Sequence, residues 1–157
     1  MPYEIERKFL VNDTAFLDAE SGISCRQGYI STESTSSVRI RIIGEEAYLT
    51  LKGAAAGIAR REFEYRIPRV DAADILDLFC EEPLIEKTRY HITFQGTAWD
   101  VDHFHGANLG LCMAEVELEE ADQVFVAPPW VGEEVTGQAA YYNVNLICNP
   151  YTQWQTG

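Results

Sequence analysis

The sequence predicts a mainly β (α+β) protein, in which an eight-stranded antiparallel sheet closes into a β-barrel, or tunnel, with flanking helices and a C-terminal helix. About eight short segments alternate between apolar and polar residues with a period of two, which is typical of half-buried β-strands. Short links such as Gly44-Glu45 join several of them and indicate antiparallel hairpins. Eight antiparallel strands can also close on themselves, which removes exposed sheet edges.

The predicted strands follow one another along most of the chain. They are residues 3–10, 24–31, 37–43, 46–53, 60–68, 86–94, 97–104 and 111–119. The stretch GAAAGIA, residues 53–59, lacks the GK[ST] ending of a phosphate-binding loop. Because it is rich in glycine and alanine, we expect it to form a mobile hairpin loop between two of the strands.

Three helical patterns interrupt or follow the strands. Residues 13–20 predict one short helix, and a second is expected to run from Asp71, as its N-cap, to about Cys80. The apolar stripe of the second helix comprises Ile75, Leu76 and Phe79, with Pro83 beyond its end. The stretch QAAYYNVNLI, residues 138–147, predicts a terminal helix, which either closes one end of the tunnel or packs as an ordinary terminus.

Length and composition limit the classes of function. The 157 residues fit a single domain, 1–157, and a hydrophobic content of 46% is sufficient for a folded core. The net charge of −13 argues against nonspecific binding to nucleic acid or to an anionic membrane, because both require a basic field. Since no apolar run reaches membrane-spanning length and the amino terminus lacks the apolar segment of a secretory signal, we expect a cytoplasmic protein. The four cysteines form no CxxC pair, so buried free thiols are expected.

Seven of the eight predicted strands carry ionisable residues at alternate positions, which share one face of a strand. These charged faces comprise Glu4, Glu6 and Lys8; Arg39 and Arg41; Lys52; Glu62 and Glu64; Lys87 and Arg89; Asp100 and Asp102; and Glu115 and Glu117. For any single strand, the simpler interpretation is an apolar face on a core and a charged face in water. Across all strands, however, the polar positions are nearly all ionisable and of both signs. That pattern favours a functional use of the charged faces.

Two closures of the barrel are compatible with these faces. An aliphatic interior would make a lipocalin-like carrier, whereas a charged interior requires helices that cover the apolar outer wall. The predicted helices can supply that cover. A charged lumen would hold eight carboxylates and six cations. Because isolated ions are too costly in a dry interior and even paired ions seldom repay their desolvation, such a lumen should contain water, metal and a polyanion.

The residue types in the lumen predict phosphoryl transfer. Crowded carboxylates raise one another's pKa unless a divalent cation neutralises them, and oxygen ligands favour Mg²⁺ or Mn²⁺. Arginines and lysines from different strands suit a chain of phosphates. In such a reaction the protein mainly positions the substrate and neutralises its charge, while the metal polarises the terminal phosphate and activates water. His103 and His105 alternate with Asp102 and are expected to point away from the lumen.

The charged motifs also carry a family resemblance. EIERK, residues 4–8, matches the ExExK motif of the CYTH superfamily, the triphosphate tunnel metalloenzymes. VRIR, TLK, REFEY, EKTRY, WDVD and AEVELE follow in the family's order, and EEVTG and YYNVNL resemble its short bacterial tripolyphosphatase-like branch. The resemblance implies an eight-stranded antiparallel tunnel that binds triphosphate and divalent metal at its centre. It also favours a tail helix that closes one end of the tunnel.

The resemblance implies a role for each matched residue. Phosphate binding is implied for Lys8, Arg39, Arg41, Lys52, Lys87 and Arg89. Metal binding is implied for Glu4, Glu6 and Glu117, and the placement of a second metal or of the attacking water for Asp102, Glu115, Glu62 and Glu64. Among these residues, Lys8, Glu62 and Glu64 are the candidates for a catalytic role. The carboxylates near Lys8 should stabilise its charge, which favours phosphate binding over a role as general base.

Inorganic tripolyphosphate is the leading substrate, because a bare polyphosphate requires only the charged lumen. Hydrolysis of a nucleoside or thiamine triphosphate, or a class IV-type adenylyl cyclase reaction, would need a further pocket, for which Tyr29, Tyr48 and Tyr141 are candidates. A noncatalytic polyphosphate-binding module is the alternative of a different class, although a pure binder gains nothing from eight carboxylates beside its anionic ligand. A homodimer is kept as an alternative to a monomer.

Overall fold

Nine β-strands form one antiparallel sheet in the computed structural model of the chain, which describes residues 3–30, 36–54 and 59–154. The strands are β1 (Tyr3–Val11), β2 (Ile23–Tyr29), β3 (Ser37–Ile43), β4 (Glu46–Lys52), β5 (Ala59–Ile67), β6 (Ile85–Phe94), β7 (Thr97–Phe104), β8 (Cys112–Glu117) and β9 (Val131–Glu134). They are ordered β5-β4-β3-β2-β6-β7-β8-β1-β9, and an additional β5–β1 pairing closes β1 to β8 into a barrel. The eight predicted strands and their closure are confirmed, whereas β9 has no counterpart in the prediction.

Barrel closure depends on β1, which pairs with a different strand on each side. Tyr3–Ile5 pair with β5, and Glu6–Leu10 pair with β8. The hairpin between β4 and β5 is confirmed by continuous antiparallel pairing of the two strands. Of the loop predicted at residues 53–59, positions 55–58 lie outside the described residues.

The outer wall of β1, β7 and β8 is covered by apolar side chains from other segments. Phe9, Trp99 and Val116 are buried in one cluster with Leu17 and Trp130. Each large apolar side chain removed from water in this way contributes about 1.5–3 kcal/mol. The apolar strand faces therefore point outward, as a charged lumen requires.

The outer wall of β3 and β4 is covered by α1 (Arg69–Leu78). Ala72 and Leu76 of this helix are buried against Ile40 and Ile42 of β3. The prediction that flanking helices shield the barrel is confirmed here. The outer wall of β4 and β5 is less covered, since Leu51, Phe63 and Tyr65 are 38%, 37% and 55% exposed. The apolar shield is therefore incomplete on this side of the barrel.

The helices differ from the prediction in their ends. The helix predicted at 13–20 is a 3-10 helix at Ala15–Ala19. The N-cap of α1 is Pro68 rather than Asp71. The φ of Pro68, −59°, fits a helix but its ψ of 136° does not, so α1 begins at Arg69 and Asp71 lies in the first turn, beside the positive end of the helix dipole. Phe79 lies beyond the last helical turn and is 62% exposed, so its place on the apolar stripe was wrong.

The tail covers one end of the barrel. It contains a 3-10 helix at Ala139–Tyr141 and the short α2 (Asn143–Cys148), so the predicted terminal helix is broken into two pieces. Leu146 and Ile147 of α2 are buried with residues such as Phe104 of β7. The tail thus closes one end of the tunnel with an apolar plug. No helix in the described part of the chain is long and apolar enough to cross a membrane.

Cys25, Cys80 and Cys112 carry free thiols. The expectation of buried thiols is confirmed for Cys25 and Cys112, whereas Cys80 is half-buried and Cys148 is exposed.

Candidate active site

The charged strand faces enclose a cavity of about 110 Å³ inside the barrel. Thirteen residues were predicted to form the site, and the following line the cavity: Glu4, Glu6, Lys8, Arg39, Arg41, Lys52, Lys87 and Glu115. The others lie on the same strand faces and contact or oppose these lining residues: Glu62, Glu64, Arg89, Asp102 and Glu117.

Charges of opposite sign occupy opposite arcs of the barrel. The carboxylate wall is formed on β5, β1 and β8 by Glu4, Glu6, Glu62 and Glu117. The cation wall is formed on β3 and β6, with β2 between them, by Arg39, Arg41, Lys87 and Arg89. In the closed order of strands β1 stands opposite β2, so the two walls face each other across the lumen.

Asp102 is held by two cations of the cation wall. Its two oxygens accept hydrogen bonds from Arg89, from Nε to Oδ1 at 2.8 Å and from Nη2 to Oδ2 at 2.9 Å. The Nζ of Lys87 lies 2.9 Å from Oδ2. Burial opposes ionisation, but the charges of Arg89 and Lys87 outweigh it and hold the pKa of Asp102 well below its usual range. Both oxygens are therefore occupied, and a role for Asp102 as a metal ligand stays a prediction.

The cations of the cation wall outnumber the described carboxylates that pair with them. Arg41 forms no ion pair with a carboxylate of the described residues, and the Nε of Arg39 is buried without a hydrogen-bond partner there. Burial lowers the pKa of Lys87 to about 8; the positive charges of Arg89 and Arg41 act in the same direction and Asp102 only partly offsets them. An added anion would relieve this repulsion.

The carboxylate wall shows the opposite imbalance. Glu6 and Glu117 lie directly opposite each other on paired strands, an arrangement that is destabilising for like charges. Glu6 forms no ion pair within the described ranges. Burial, followed by the charges of Glu115 and Glu4, raises the pKa of Glu6 to about 8. Burial and the charge of Glu4 also raise the pKa of Glu117.

Glu62 shares the carboxylate wall with Glu4. Lys52 interacts with both carboxylates. Its Nζ donates to Oε1 of Glu4 at 2.8 Å, and its charge acts to lower the pKa of Glu62. Burial, the charge of Glu4 and a hydrogen bond to Glu4 raise the pKa of Glu62 to about 7. Glu64 instead turns to the cation wall, where it accepts from Thr50 at 3.0 Å and lies 3.5 Å from Arg39. The two catalytic candidates on β5 therefore have different surroundings.

Lys8 lies among the carboxylates on β1 and keeps its charge. Its Nζ is 3.5 Å from Glu115 and donates to the carbonyl oxygen of Tyr141 at 3.3 Å. Burial favours the neutral amine, but the charges of Glu115 and Glu6 outweigh it and raise the pKa of Lys8. A lysine with a raised pKa is a poor general base. The surroundings of Lys8 thus favour phosphate binding, as predicted.

The carboxylate wall has the donor chemistry for a hard divalent cation. Glu6 has a near-neutral pKa and no cationic partner, and it faces Glu117, with Glu4 nearby. Mg²⁺ and Mn²⁺ prefer such oxygen ligands. Within residues 3–30, 36–54 and 59–154, however, no three His, Cys, Asp or Glu side chains converge into a ready-made metal site. Glu115 is committed to cations, since Lys8 and Arg89 lower its pKa to about 2 although burial opposes them.

Several lining residues were not predicted. Arg60 lies two positions before Glu62 on β5, so strand alternation would have placed it on the charged face. Gln27 lies on the lumenal face of β2, but because it is not ionisable the charge pattern gave no signal. Thr136 and Asn143 come from the tail, and their positions depend on how the tail packs.

The histidines and tyrosines can also be placed. His103 is half-buried and His105 exposed, and the two rings lie on the outside of the barrel, away from Asp102, as predicted, with their centroids 5.6 Å apart and their planes tilted by 43°. Tyr29 lines the cavity, whereas Tyr48 lines a separate opening and the ring of Tyr141 packs on that of Trp154.

Comparison with known families and proteins gives a consistent result. The CYTH domain family matches residues 2–147. A protein of Acetivibrio thermocellus named inorganic triphosphatase is 46% identical over 155 residues, which cover 99% of each chain. A protein of Nitrosomonas europaea with the same name is 41% identical over 148 residues, which cover 91% of this chain and 95% of that one.

Solved structures share the architecture. The crystal structure of an inorganic triphosphatase, 35% identical in sequence, superimposes with a TM-score of 0.65 and covers 98% of this chain and 97% of its own. A Hippeastrum protein described as an adenylyl cyclase with a dominant triphosphatase activity is 14% identical, with a TM-score of 0.57 over 74% of this chain and 80% of its own. At that identity the likeness concerns the fold alone.

Proposed function

The chain belongs to the CYTH family, and from this premise we propose that it hydrolyses triphosphates, with inorganic tripolyphosphate as the main substrate. The relatives named inorganic triphosphatase match this chain over nearly its whole length and theirs. The products would be pyrophosphate and orthophosphate. We further propose that residues 1–157 act as one domain, while a cytoplasmic location and a homodimer stay predictions.

The observation that carries the proposal is the pair of opposed walls, each with a surplus of its own charge. Arg41 lacks an ion pair with the described carboxylates, and Glu6 lacks one with the described cations. Burying unpaired charge costs free energy in the absence of a ligand. A phosphate chain together with a divalent cation supplies both missing charges. Phosphoryl transfer requires this combination of positioning and charge neutralisation.

The cation wall would hold the phosphates. Arg39 and Arg41 can each present a planar guanidinium to phosphate oxygens, and Lys87 adds a point charge. Asp102 would keep Arg89 and Lys87 in place instead of contacting the substrate. Lys8, on β1 among the carboxylates, and Lys52, on β4 between the walls, would neutralise phosphate charge near the carboxylates.

Glu4, Glu6 and Glu117 would hold the metal, for which Mg²⁺ and Mn²⁺ are the candidates. When bound, such an ion polarises phosphate oxygens and lowers the pKa of water. Asp102 and Glu115 are engaged by cations, so we assign them the orientation of cations rather than metal binding.

Glu62 is the candidate that would accept a proton from the attacking water. Its pKa of about 7 is matched to proton transfer at neutral pH. The water oxygen forms a bond to the terminal phosphorus, the bridging P–O bond breaks, and its electrons leave with pyrophosphate. Glu64 would orient Arg39 and thereby the phosphate chain.

The proposal is tested by phosphate release from tripolyphosphate with and without Mg²⁺ or Mn²⁺, repeated with ATP and with the Glu6→Ala variant. We expect metal-dependent release, a preference for tripolyphosphate and near abolition in the variant. Binding of tripolyphosphate without any hydrolysis would instead favour a polyphosphate-binding module. Formation of cyclic AMP from ATP would favour a cyclase.

A further inference from the structure

Gln27 occupies a distinctive position in the tunnel, because β2 lies between the two strands of the cation wall. On one side Gln27 pairs in register with Arg41 of β3. On the other side its neighbour Cys25 pairs with Lys87 of β6. The Gln27 side chain is completely buried. A neutral amide thus stands among the cations that the phosphates would meet.

The amide of Gln27 is fully hydrogen-bonded. Its Oε1 accepts from Nε of Arg41 at 3.0 Å and from Sγ of Cys25 at 3.6 Å. Its Nε2 donates to the hydroxyl of Tyr29 at 3.1 Å and to Oδ1 of Asn143 at 3.3 Å. A glutamine amide offers two donors and two acceptor positions, and all are used.

The direction of this hydrogen-bond chain is fixed by the cations at its ends. Arg41 can only donate, so the oxygen of Gln27 must face it. Asn143 accepts both from Gln27 and from Nζ of Lys87, at 3.0 Å, and an ammonium group likewise only donates. The chain therefore runs from Arg41 through Gln27 to the oxygen of Asn143, where it meets Lys87.

A neutral partner orients a cation without compensating its charge, whereas a carboxylate compensates part of that charge. Elsewhere in the tunnel Arg89 is paired with Asp102 and Lys52 with Glu4, so part of their charge is already compensated. Gln27 orients Arg41 through its Nε without compensating its charge. The full positive charge of Arg41 then remains available to an anion in the cavity.

We propose that Gln27 and Asn143 form a neutral strut that positions Arg41 and Lys87 toward the phosphates of the substrate and leaves the charge of Arg41 uncompensated, whereas Lys87 is also paired with Asp102. Gln27 and Asn143 are positioning residues in this account, and neither is required to touch the reacting atoms. The inference rests on the proposed function, since it assumes that these cations bind the substrate's phosphates.

The main test replaces Gln27 by glutamate, which keeps the shape and the acceptor for Arg41 but adds a negative charge. Tripolyphosphate binding is measured by calorimetry on the full chain in the presence of a chelator, and kcat and KM are measured with Mg²⁺. The added charge would compensate Arg41 and weaken its charge-assisted hydrogen bonds to phosphate. We therefore expect Gln27→Glu to weaken binding and raise KM about 10- to 100-fold, with a smaller change in kcat. The thermal midpoint should change little, because the new ion pair with Arg41 offsets the loss of the two hydrogen bonds that Nε2 donates to Tyr29 and Asn143.

A purely structural role of Gln27 would give a different result. Glutamate at this position would then preserve both the fold and the affinity, or would lower stability and kcat together. Gln153→Glu, at an exposed position in the tail, adds the same charge far from the strut and serves as the matched control. If Gln27→Glu fails to fold, Asn143→Asp at the less buried end of the strut is the deciding variant.

The inference is overturned if a folded Gln27→Glu or Asn143→Asp protein binds tripolyphosphate within about twofold of the Gln153→Glu control. Binding that is intact in the unaltered chain and weakened by the strut variants supports the inference even if no hydrolysis occurs. In that case only the proposed hydrolase function fails. Absence of any tripolyphosphate binding by the unaltered chain would overturn both.

Discussion

The carboxylate wall and the cation wall respond to burial in opposite ways. Burial and like charges raise the pKa of Glu6 to about 8 and that of Glu62 to about 7, so the carboxylate wall tends to keep protons. On the cation wall, burial and like charges lower the pKa of Lys87 to about 8, so this wall tends to lose them. In both cases the protein lacks part of the opposite charge.

The exceptions show what relieves this imbalance. Asp102 reverses the effect of burial on Arg89, whose pKa is raised well above its usual value by that carboxylate. Lys8 and Glu115 do the same for each other. Mixed pairs are therefore possible in this tunnel. The segregation of the remaining charges indicates a site that is completed by ligands of both signs.

Removal of a carboxylate that lacks a cationic partner should have the largest effect on activity. Loss of groups that only orient metal ligands costs about 10- to 100-fold in activity, so we expect Glu6→Ala to lower kcat/KM for tripolyphosphate more than about 100-fold. Phosphate release measures the effect. Glu20→Ala, at an exposed position, should leave activity unchanged. Full activity of Glu6→Ala would refute the metal assignment.

A second change removes a cation from the opposite wall. We expect Lys87→Met to weaken metal-free tripolyphosphate binding about 10- to 100-fold, because a buried ammonium group that meets phosphate is lost. Calorimetry in chelator measures the affinity. Arg26→Met, on the outer face of β2, removes one positive charge without touching the lumen and should bind normally. Equal affinities for the two variants would argue that the cation wall does not hold the substrate.

Binding of tripolyphosphate to the cation wall should depend on pH. In the free protein Lys87 loses its proton near pH 8, whereas a bound phosphate anion favours the charged form. Binding then takes up a proton, and metal-free affinity for tripolyphosphate should fall as the pH rises from about 7 to 9. Titrations in buffers of different ionisation enthalpy report the proton uptake. The uptake near pH 8 should be smaller in Lys87→Met, where Glu6, whose pKa is also about 8, can still take up a proton, and an unchanged uptake would show that Lys87 does not contribute.

The smallest expected effect is on stability. The pKa of Glu6 is raised from 4.5 to about 8, so the folded chain holds this proton more firmly than the unfolded chain, and the stability that is fully present below pH 4.5 is lost as the pH rises from there to about 8. Glu6→Gln cannot ionise. In chelator at pH 8 its thermal midpoint should exceed that of the unaltered chain by about 2–4 °C, with a smaller difference at pH 5. A lower midpoint at both pH values would contradict the repulsion inferred here.

Much of the fold followed from local patterns. The alternation in β1, β3 and β8 correctly predicted strands with one charged and one apolar face, because side chains of successive strand residues point to opposite sides. The end of α1 was less predictable, since Phe79 fits the helical period but follows the last turn. The break in the tail and the strand β9 depend on packing against β1 and the barrel end, and no local period reports such contacts.

The sequence predicted which ionisable residues form the candidate site but not which of them contact one another. The ionisable side chains of the lumen were identified from their positions in the strands. Gln27 and Asn143 were missed, because their importance comes from the cations beside them and not from their own chemistry. The commitment of Asp102 to Arg89 and Lys87 likewise depends on the pairing of β6 with β7.

The sequence by itself determined which residues share a face of each strand, because that depends only on the two-residue period of an extended backbone. The tertiary structure decided which of those faces is inside and which charges meet. Barrel closure brings β1 opposite β2, and the register between strands sets Glu6 against Glu117 and Lys8 against Glu115. These contacts join residues far apart in the chain, so only the closed barrel divides the charges into two opposed walls.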